Sequence, residues 1–287
     1  MKQPIVNAGV LMERFIKNGQ YSKLKSAENQ TKISKKYLRE KLSEDERKRF
    51  EFEKFGMVAR FVPKYIYEWD HIGLVNYLSD YFDLSVLVKH NVIDLDIKTF
   101  NSELDDEDFF SDFELPPTYY VKPSFNKDGR ALIQATNNVI STHNDISEAV
   151  EMIAKARVVE HHLKNEYENL KRQMFACPLL HEKRKIKHEF GSVSLVKNKP
   201  KFDLVGILNA IDEINLYQYL KVNPTALQEF AAKGYISSMS EILQFRVVKD
   251  VRMDFIVTTF EAEQRMFEGM LRRKEIVQQQ SIRSRAN

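Results

Sequence analysis

Seven cations bracket one short stretch of alternating residues. Lys183, Arg184, Lys185 and Lys187 precede the run Gly191, Ser192, Val193, Ser194, Leu195, and Lys197, Lys199 and Lys201 follow it, opposed only by Glu182 and Glu189. Ammonium groups are point charges suited to phosphate oxygens. Several together hold a nucleic-acid backbone in a salt-dependent way without reading its sequence. The run carries no Arg/Asn pair for base edges, so weak sequence preference is expected.

Two further constellations carry chemistry of other kinds. Asp83, Asp96 and Lys98, the last two spaced Asp-x-Lys in NVIDLDIK, are the residue types with which a metal-dependent nuclease holds Mg²⁺ and assists an attacking water. The proline that usually precedes the first Asp is absent, and the plainer reading is an edge strand whose Asp94, Asp96 and Lys98 face water. The run NSELDDEDFFSDFELPP sets Asp105, Asp106 and Asp108 beside Phe109, Phe110 and Phe113. Carboxylates between aromatics suit a partner's basic groove, by imitating phosphates; the plainer reading is a solvated loop. His162 and Glu166 stand four apart on a helical pattern beside His161, with no third ligand in view, so no metal is expected. Residues 224–245 have a helix–turn–helix outline with few base-reading side chains. P-loop, dinucleotide, nucleophile-elbow and zinc-protease patterns are absent, and no cofactor is expected.

The elements that must position these residues follow from periodicity. Residues 10–16 form a short amphipathic piece followed by a polar link, then a basic helix spans 34–42. Ser43-Glu44-Asp45-Glu46 reads as a capping box that starts a helix running to about Met57, and Pro63 breaks the pattern. Residues 69–82 read as a helix with Ile72, Val75, Leu78, Tyr81 and Phe82 near one face. NVIDLDIK and TYYVKPS read as strands, with an acidic loop at 101–117 and a turn at Asn126-Lys127-Asp128-Gly129.

A change of character at 142–146 divides the chain into an N-terminal mixed region, 1–143, and a helical region, 144–287. The second opens with a long helix at 147–175, whose spacing suits a helical hairpin or a dimer seam. The basic hairpin at 183–201 follows. Asp203 caps a helix to Ala210, and Asn223-Pro224 starts another that Gly234 ends. Residues 240–273 read as one or two helices, with a strand at FIVTTF as the alternative, and no internal repeat is read. The expected class is α+β, mostly α-helical.

Composition bounds the rest. At 287 residues, 43% apolar and 30% charged, the chain has the make-up of a soluble globular protein. Its single cysteine, Cys177, rules out an intrachain disulfide and fits a reducing compartment. The N-terminal stretch lacks a signal peptide's apolar core, no run approaches a membrane span, and a cytoplasmic location is expected. The net charge of +3 conceals segregation: basic at Lys23, Lys25, Lys32, Lys35, Lys36, Arg39 and Lys41, acidic over 94–114, and basic again at Arg272, Arg273, Lys274, Arg283 and Arg285.

A long charged helix followed by the Gly-led basic segment HEFGSVSLVKNKPKFD resembles phage recombination accessory proteins, the Gam-type host-nuclease inhibitors and related siphovirus proteins, over about residues 145–205. The resemblance implies a homodimer that binds DNA, at duplex ends in the Gam case, and denies nucleases access. The function expected is therefore a non-enzymatic phage or mobile-element accessory protein. It would bind DNA backbone or a DNA-processing complex through the seven cations and block a host nuclease or defence. The alternatives are an inhibitor of a host defence complex acting through the acidic aromatic loop, and a nuclease built on Asp83, Asp96 and Lys98.

Overall fold

A computed structural model describes residues 7–103, 109–134, 142–211, 216–236 and 239–286, without the side chains of 239, 240, 273, 274 and 276–286. The fold is α+β. In chain order the elements begin with α1 (Ala8–Lys17), α2 (Gln20–Leu42), β1 (Arg49–Phe52), β2 (Met57–Trp69), α3 (His71–Ser79), α4 (Leu84–Lys89), β3 (Ile93–Leu95) and α5 (Ile97–Asn101). There follow β4 (Tyr119–Phe125), α6 (Lys127–Gln134), α7 (Ile146–Phe175), α8 (Pro178–Lys183), β5 (Lys185–His188) and β6 (Gly191–Lys197). The last are α9 (Leu204–Ala210), β7 (Leu220–Val222), α10 (Pro224–Ala232), α11 (Met239–Leu243), β8 (Arg246–Thr259) and α12 (Phe260–Ala286).

These elements form two compact units, each gathered from separate stretches of chain. Unit 1 takes Met1–Phe61, Pro117–Lys199 and Phe255–Phe260; unit 2 takes Val62–Pro116, Pro200–Asp254 and Glu261–Asn287. The boundary expected at 142–146 therefore falls inside unit 1. The change of composition there marks the start of α7, which packs back onto earlier chain.

In unit 1, α2 and α7 lie antiparallel. The Gln20 amide at the start of α2 donates to Glu166 late in α7 (2.8 Å), whereas Leu38 and Leu42 at its end cluster with Ala149, Val150 and Ile153 at the start of α7. Leu24, Ala27, Leu38 and Leu42 recur at helical spacing and are buried, and so are Ala149, Val150, Ile153, Ala156 and Leu163. The face of α7 whose spacing suited a helical hairpin or a dimer seam thus packs on α2 of the same chain. One three-stranded sheet, β1-β2-β8, covers the end at Leu38 and Ile153, adding Phe50, Met57, Phe255 and Val257. The other, β4-β6-β5, covers the end at Met174, adding Val121, Ile186, Val193 and Leu195, with Met12 and Phe15 of α1.

Several local expectations are corrected here. The polar link after residue 16 is the body of α2, which only Asn18 and left-handed Gly19 (φ 70°) separate from α1. Ser43 ends that helix and starts none: its backbone N–H donates to Arg39 (3.0 Å) and its hydroxyl to the Glu40 carbonyl (2.8 Å). The next element, β1, is a strand because buried Phe50 sits between outward Arg49 and Glu51, a period of two that overrides the capping pattern. Pro63 lies within β2, and FIVTTF lies in β8 and the first residue of α12. Within α3, Leu74, Val75 and Leu78 are buried while Ile72 is exposed; Tyr81, beyond its end, is exposed too.

Contrary to the reading of no repeat, the same succession of elements occurs twice. In unit 2, the Asp70 N–H donates to the Phe245 carbonyl and the Asp203 N–H to the Phe113 carbonyl, both at 2.8 Å. Asp70 caps α3 by accepting from Gly73 N–H (2.9 Å), and Asp203 caps α9 by accepting from Gly206 N–H (3.1 Å). A Cβ on Gly73 would meet the Asp70 carboxylate and the Phe245 ring; one on Gly206 would meet those of Asp203 and Phe113. Strands β3 and β7 pair antiparallel about Asp94↔Lys221, with Ile93↔Val222 and Leu95↔Leu220 on either side. Asp96 N–H donates to Tyr219 and Asn223 N–H to Val92, again both at 2.8 Å. Exchanging Asp70 with Asp203, Phe113 with Phe245 and Asp94 with Lys221 maps this set of contacts onto itself, which is a pseudo-two-fold relation.

Unit 1 repeats the arrangement with its two hairpins. In the first, Phe50 pairs with Ala59 and Phe61 N–H donates to Lys48 (2.8 Å); in the second, Ile186 pairs with Val193 and Leu195 N–H donates to Arg184 (2.8 Å). Each hairpin takes its third strand from the other repeat, β8 beside β2 and β4 beside β6.

Candidate nucleic-acid interface

The basic segment is built into a sheet and does not project as a free ribbon, because β6 is the central strand with β5 on one side and β4 on the other. Val193 and Leu195 point inward and are buried with Ile186. Residues directly opposite across a sheet share a face. The register therefore sets Lys122, Ser194 and Lys185 in one outward row, and Ser124 and Lys187 in the next, on either side of buried Ser192. Adjacent strands lie ~4.8 Å apart, so Lys122 and Lys185 stand ~10 Å from each other across Ser194. Lys122, Ser124, Lys185 and Lys187 are exposed.

The remaining cations lie at the margins of the sheet, and the register puts Lys197 and Tyr119 on the side of Val121 and Leu195, opposite the outward rows. Lys183 closes α8, and Arg184 follows in the left-handed conformation (φ 61°) with its guanidinium 4.4 Å from the Tyr119 ring centroid. Lys197 ends β6 opposite Tyr119, and Lys199 is exposed just beyond. Six of the seven expected cations thus belong to unit 1. Lys201 belongs to unit 2, where its carbonyl accepts from Leu115 N–H (2.8 Å). Lys122 was missed. Its signal is the alternation in TYYVKPS, which turns Lys122 outward when Val121 is buried.

The nuclease-like residues are placed differently from expectation. Strand β3 stops at Leu95, and Asp96 is the N-cap of α5, accepting from Thr99 N–H (3.3 Å), so Asp96-Ile97-Lys98 is not on a strand. The Lys221 ammonium donates to the Asp96 carboxylate, as does the Thr99 hydroxyl at 2.9 Å. Chiefly through Lys221, and then Thr99, the carboxyl is lowered to about 2. Asp83 precedes α4, and Lys98 is exposed on α5. Among the described residues, no group of three or more His, Cys, Asp or Glu side chains is arranged to hold a metal ion. His162 instead lies 3.3 Å from Glu166 as an exposed pair.

The aromatics of the acidic run pack on the core of unit 2. Phe110 is buried in the core of unit 2 against Phe100 and Phe202, and Phe109 and Phe113 pack on the same cluster. Burial of Phe110 anchors the segment and removes that ring from a partner's reach, while Phe109 and Phe113 are half-buried. Asp105, Asp106 and Asp108 lie outside the described residues. The helix–turn–helix outline resolves into α10, whose Leu227 and Phe230 are core residues, and the five-residue α11, which leads into β8.

Two features had no counterpart in the sequence reading. On β2 and β8, the Arg246 guanidinium sits 4.0 Å from the Tyr67 ring centroid and 5.6 Å from that of Trp69, with Tyr65 stacked on Tyr67. Val247, Val248 and Val251 of β8 are exposed. Alternation of Tyr65, Tyr67 and Trp69 was the available signal. In unit 1, a pocket is lined by Glu13, Lys17, Asp128 and Glu189 with Leu132 and Phe190; the hydrogen bond from Lys17 (2.7 Å) holds the Glu13 carboxyl below its usual range.

No protein family, no curated protein and no solved structure matches the chain. No helix among the described residues is long and apolar enough to cross a membrane.

Proposed function

We propose that the protein binds nucleic-acid backbone through the outer face of the β4-β6-β5 sheet, as a non-enzymatic accessory of DNA processing. The observation that carries this reading is the outward grouping of Lys122, Lys185 and Lys187 with Ser124 and Ser194, with Lys183, Arg184, Lys197 and Lys199 at the margins of the same sheet. Ammonium groups and hydroxyls on a pleated face contact phosphates without base readout, so affinity follows salt more than sequence. A phage or mobile-element role, in which DNA is covered against a host nuclease, is the form of this activity that the Gam-type resemblance suggests.

Fluorescence anisotropy of duplex, duplex-end and single-stranded DNA across a salt titration tests it. Neutralising Lys122, Lys185 and Lys187 to Gln lowers the slope of log affinity against log salt by about 2.7, at ~0.9 per phosphate contact. Absence of binding by the wild type at low salt sinks the reading, and so does an unchanged slope in the variant. A protein partner is the second reading, favoured by exposed Val247, Val248 and Val251 on β8, at 62%, 52% and 49% of full exposure. Substituting those three with Thr and losing a partner recovered by the wild type supports it.

A further inference from the structure

The repeat gives the basic face a counterpart. Pairing Phe50↔Ala59 with Ile186↔Val193, and the Phe61–Lys48 bond with the Leu195–Arg184 bond, aligns Arg47-Lys48-Arg49 with Lys183-Arg184-Lys185. All six side chains are exposed. The flanking strands carry the same burial pattern, outward, buried, outward, half-buried, in β1 and in β5. Three cations thus recur on three cations where each chain segment enters its hairpin. Outside this triplet the two strands share little: Glu51 stands opposite Lys187, and Phe52 opposite His188.

We infer that Arg47, Lys48 and Arg49 form a second phosphate-contacting site, so that one chain holds one duplex at two places. The inference rests on the reading of the β4-β6-β5 face as a phosphate contact. Geometry within unit 1 supports the span. The two sheets cap opposite ends of the α2–α7 pair, one packing on Ile153 and the other on Met174. At 1.5 Å per helical residue these positions are ~32 Å apart along α7. One turn of duplex DNA is ~34–36 Å.

The sites are unequal. Arg47 is paired with Asp45 (2.7 Å) and Arg49 with Glu51, and Glu46 lies beside them. The Arg49–Glu51 pair is exposed and contributes little, so a phosphate replaces Glu51 at small cost, whereas Arg47 grips half-buried Asp45 through both Nε and its terminal nitrogen, and a phosphate must compete with that bidentate contact. The nearby acids make this the weaker contact.

The test compares Arg47→Gln/Lys48→Gln/Arg49→Gln with Lys183→Gln/Arg184→Gln/Lys185→Gln, using a 24-base-pair duplex and an 8-base-pair DNA hairpin too short to span a turn. On the long duplex, the first-triplet variant lowers the salt slope by about 1 to 2 and the second-triplet variant by more, at ~0.9 per contact. On the short hairpin, which occupies one site at a time, the first-triplet variant retains wild-type affinity. The charge-keeping variant Arg47→Lys/Arg49→Lys restores binding to the long duplex, with circular dichroism confirming the fold of each protein. A first-triplet variant that matches the wild type on the long duplex, while the second-triplet variant loses binding, overturns the second site and leaves the sheet reading standing. Wild type that binds neither DNA overturns both.

Discussion

The two hairpins turn on glycines that look alike in sequence and differ sharply in surroundings, which makes Gly191→Ala and Gly56→Ala a matched pair. Gly191 has φ +140°, a conformation open essentially to glycine alone, and Ala there costs roughly 1–3 kcal/mol in backbone strain. Its Cβ would stand 2.1 Å from the Ser124 carbonyl oxygen and 3.0 Å from Asn126 N, both backbone atoms that no side-chain rotation clears. Relief requires β4 to move about an ångström from β6 at this end. That loosens the hydrogen bonds around Asn126, which holds the Phe190 carbonyl through its N–H (3.1 Å) and the Glu189 carbonyl through its amide (2.7 Å). At ~1 kcal/mol for each of two bonds, the total reaches ~3–5 kcal/mol. Gly56 has φ +59° and nothing within 4 Å of its Cβ, so Ala there costs only ~1 kcal/mol for the left-handed turn. Urea unfolding followed by circular dichroism measures both, and hydrogen exchange of Ser192 and Val193 locates the damage. Equal losses in the two variants refute the argument, because both the φ value and the approach of the Ser124 and Asn126 backbone set Gly191 apart.

Further outcomes are expected elsewhere. Asp70→Ala and Asp203→Ala each cost ~1 kcal/mol as lost helix caps, and urea midpoints show two losses of similar size, as the repeat requires. Because the Asp96 carboxyl is lowered to about 2, its stabilising contact is complete above the ordinary carboxylate range near 4 and is lost as pH falls through about 2. A carboxyl-carbon NMR titration gives that midpoint, and Lys221→Met moves it upward; a midpoint unchanged by Lys221→Met contradicts the pairing. Cys177 is fully buried, so Ellman's reagent modifies it at the rate of unfolding, and immediate stoichiometric reaction of the native protein overturns its placement.

What the sequence revealed was governed by local signals. The Asp203 and Asn223-Pro224 helix starts were legible because cap and first-turn chemistry acts within three or four residues. The strand at TYYVKPS was legible from its period of two, although its partner was not. The reading failed where distant chain decides. Ser43 to Glu46 satisfies a capping pattern, yet Phe50 and Phe52 are claimed by a sheet whose third strand is β8. Phe109, Phe110 and Phe113 looked available to a partner because their core neighbours, Phe202 and Tyr219 among them, come from remote sequence. The repeat stayed hidden because its spacing drifts between hairpin, Asp-x-x-Gly turn and inner strand, and because Asp, Gly and Asn at 70, 73 and 76 and at 203, 206 and 209 are nearly all it keeps. Lys122 escaped notice for a related reason: only the β4–β6 register joins it to Lys185.

The exchange of third strands has a consequence for synthesis on the ribosome. The second hairpin finds its third strand, β4, already made when β6 emerges, so that sheet can close at once. The first hairpin is translated much earlier, but its third strand, β8, comes from far later sequence. Until β8 arrives, β2 is an open edge of the kind that invites pairing with other nascent chains. Messages truncated before residue 246 should therefore yield aggregating products, whereas a chain that includes β8 closes its own edge.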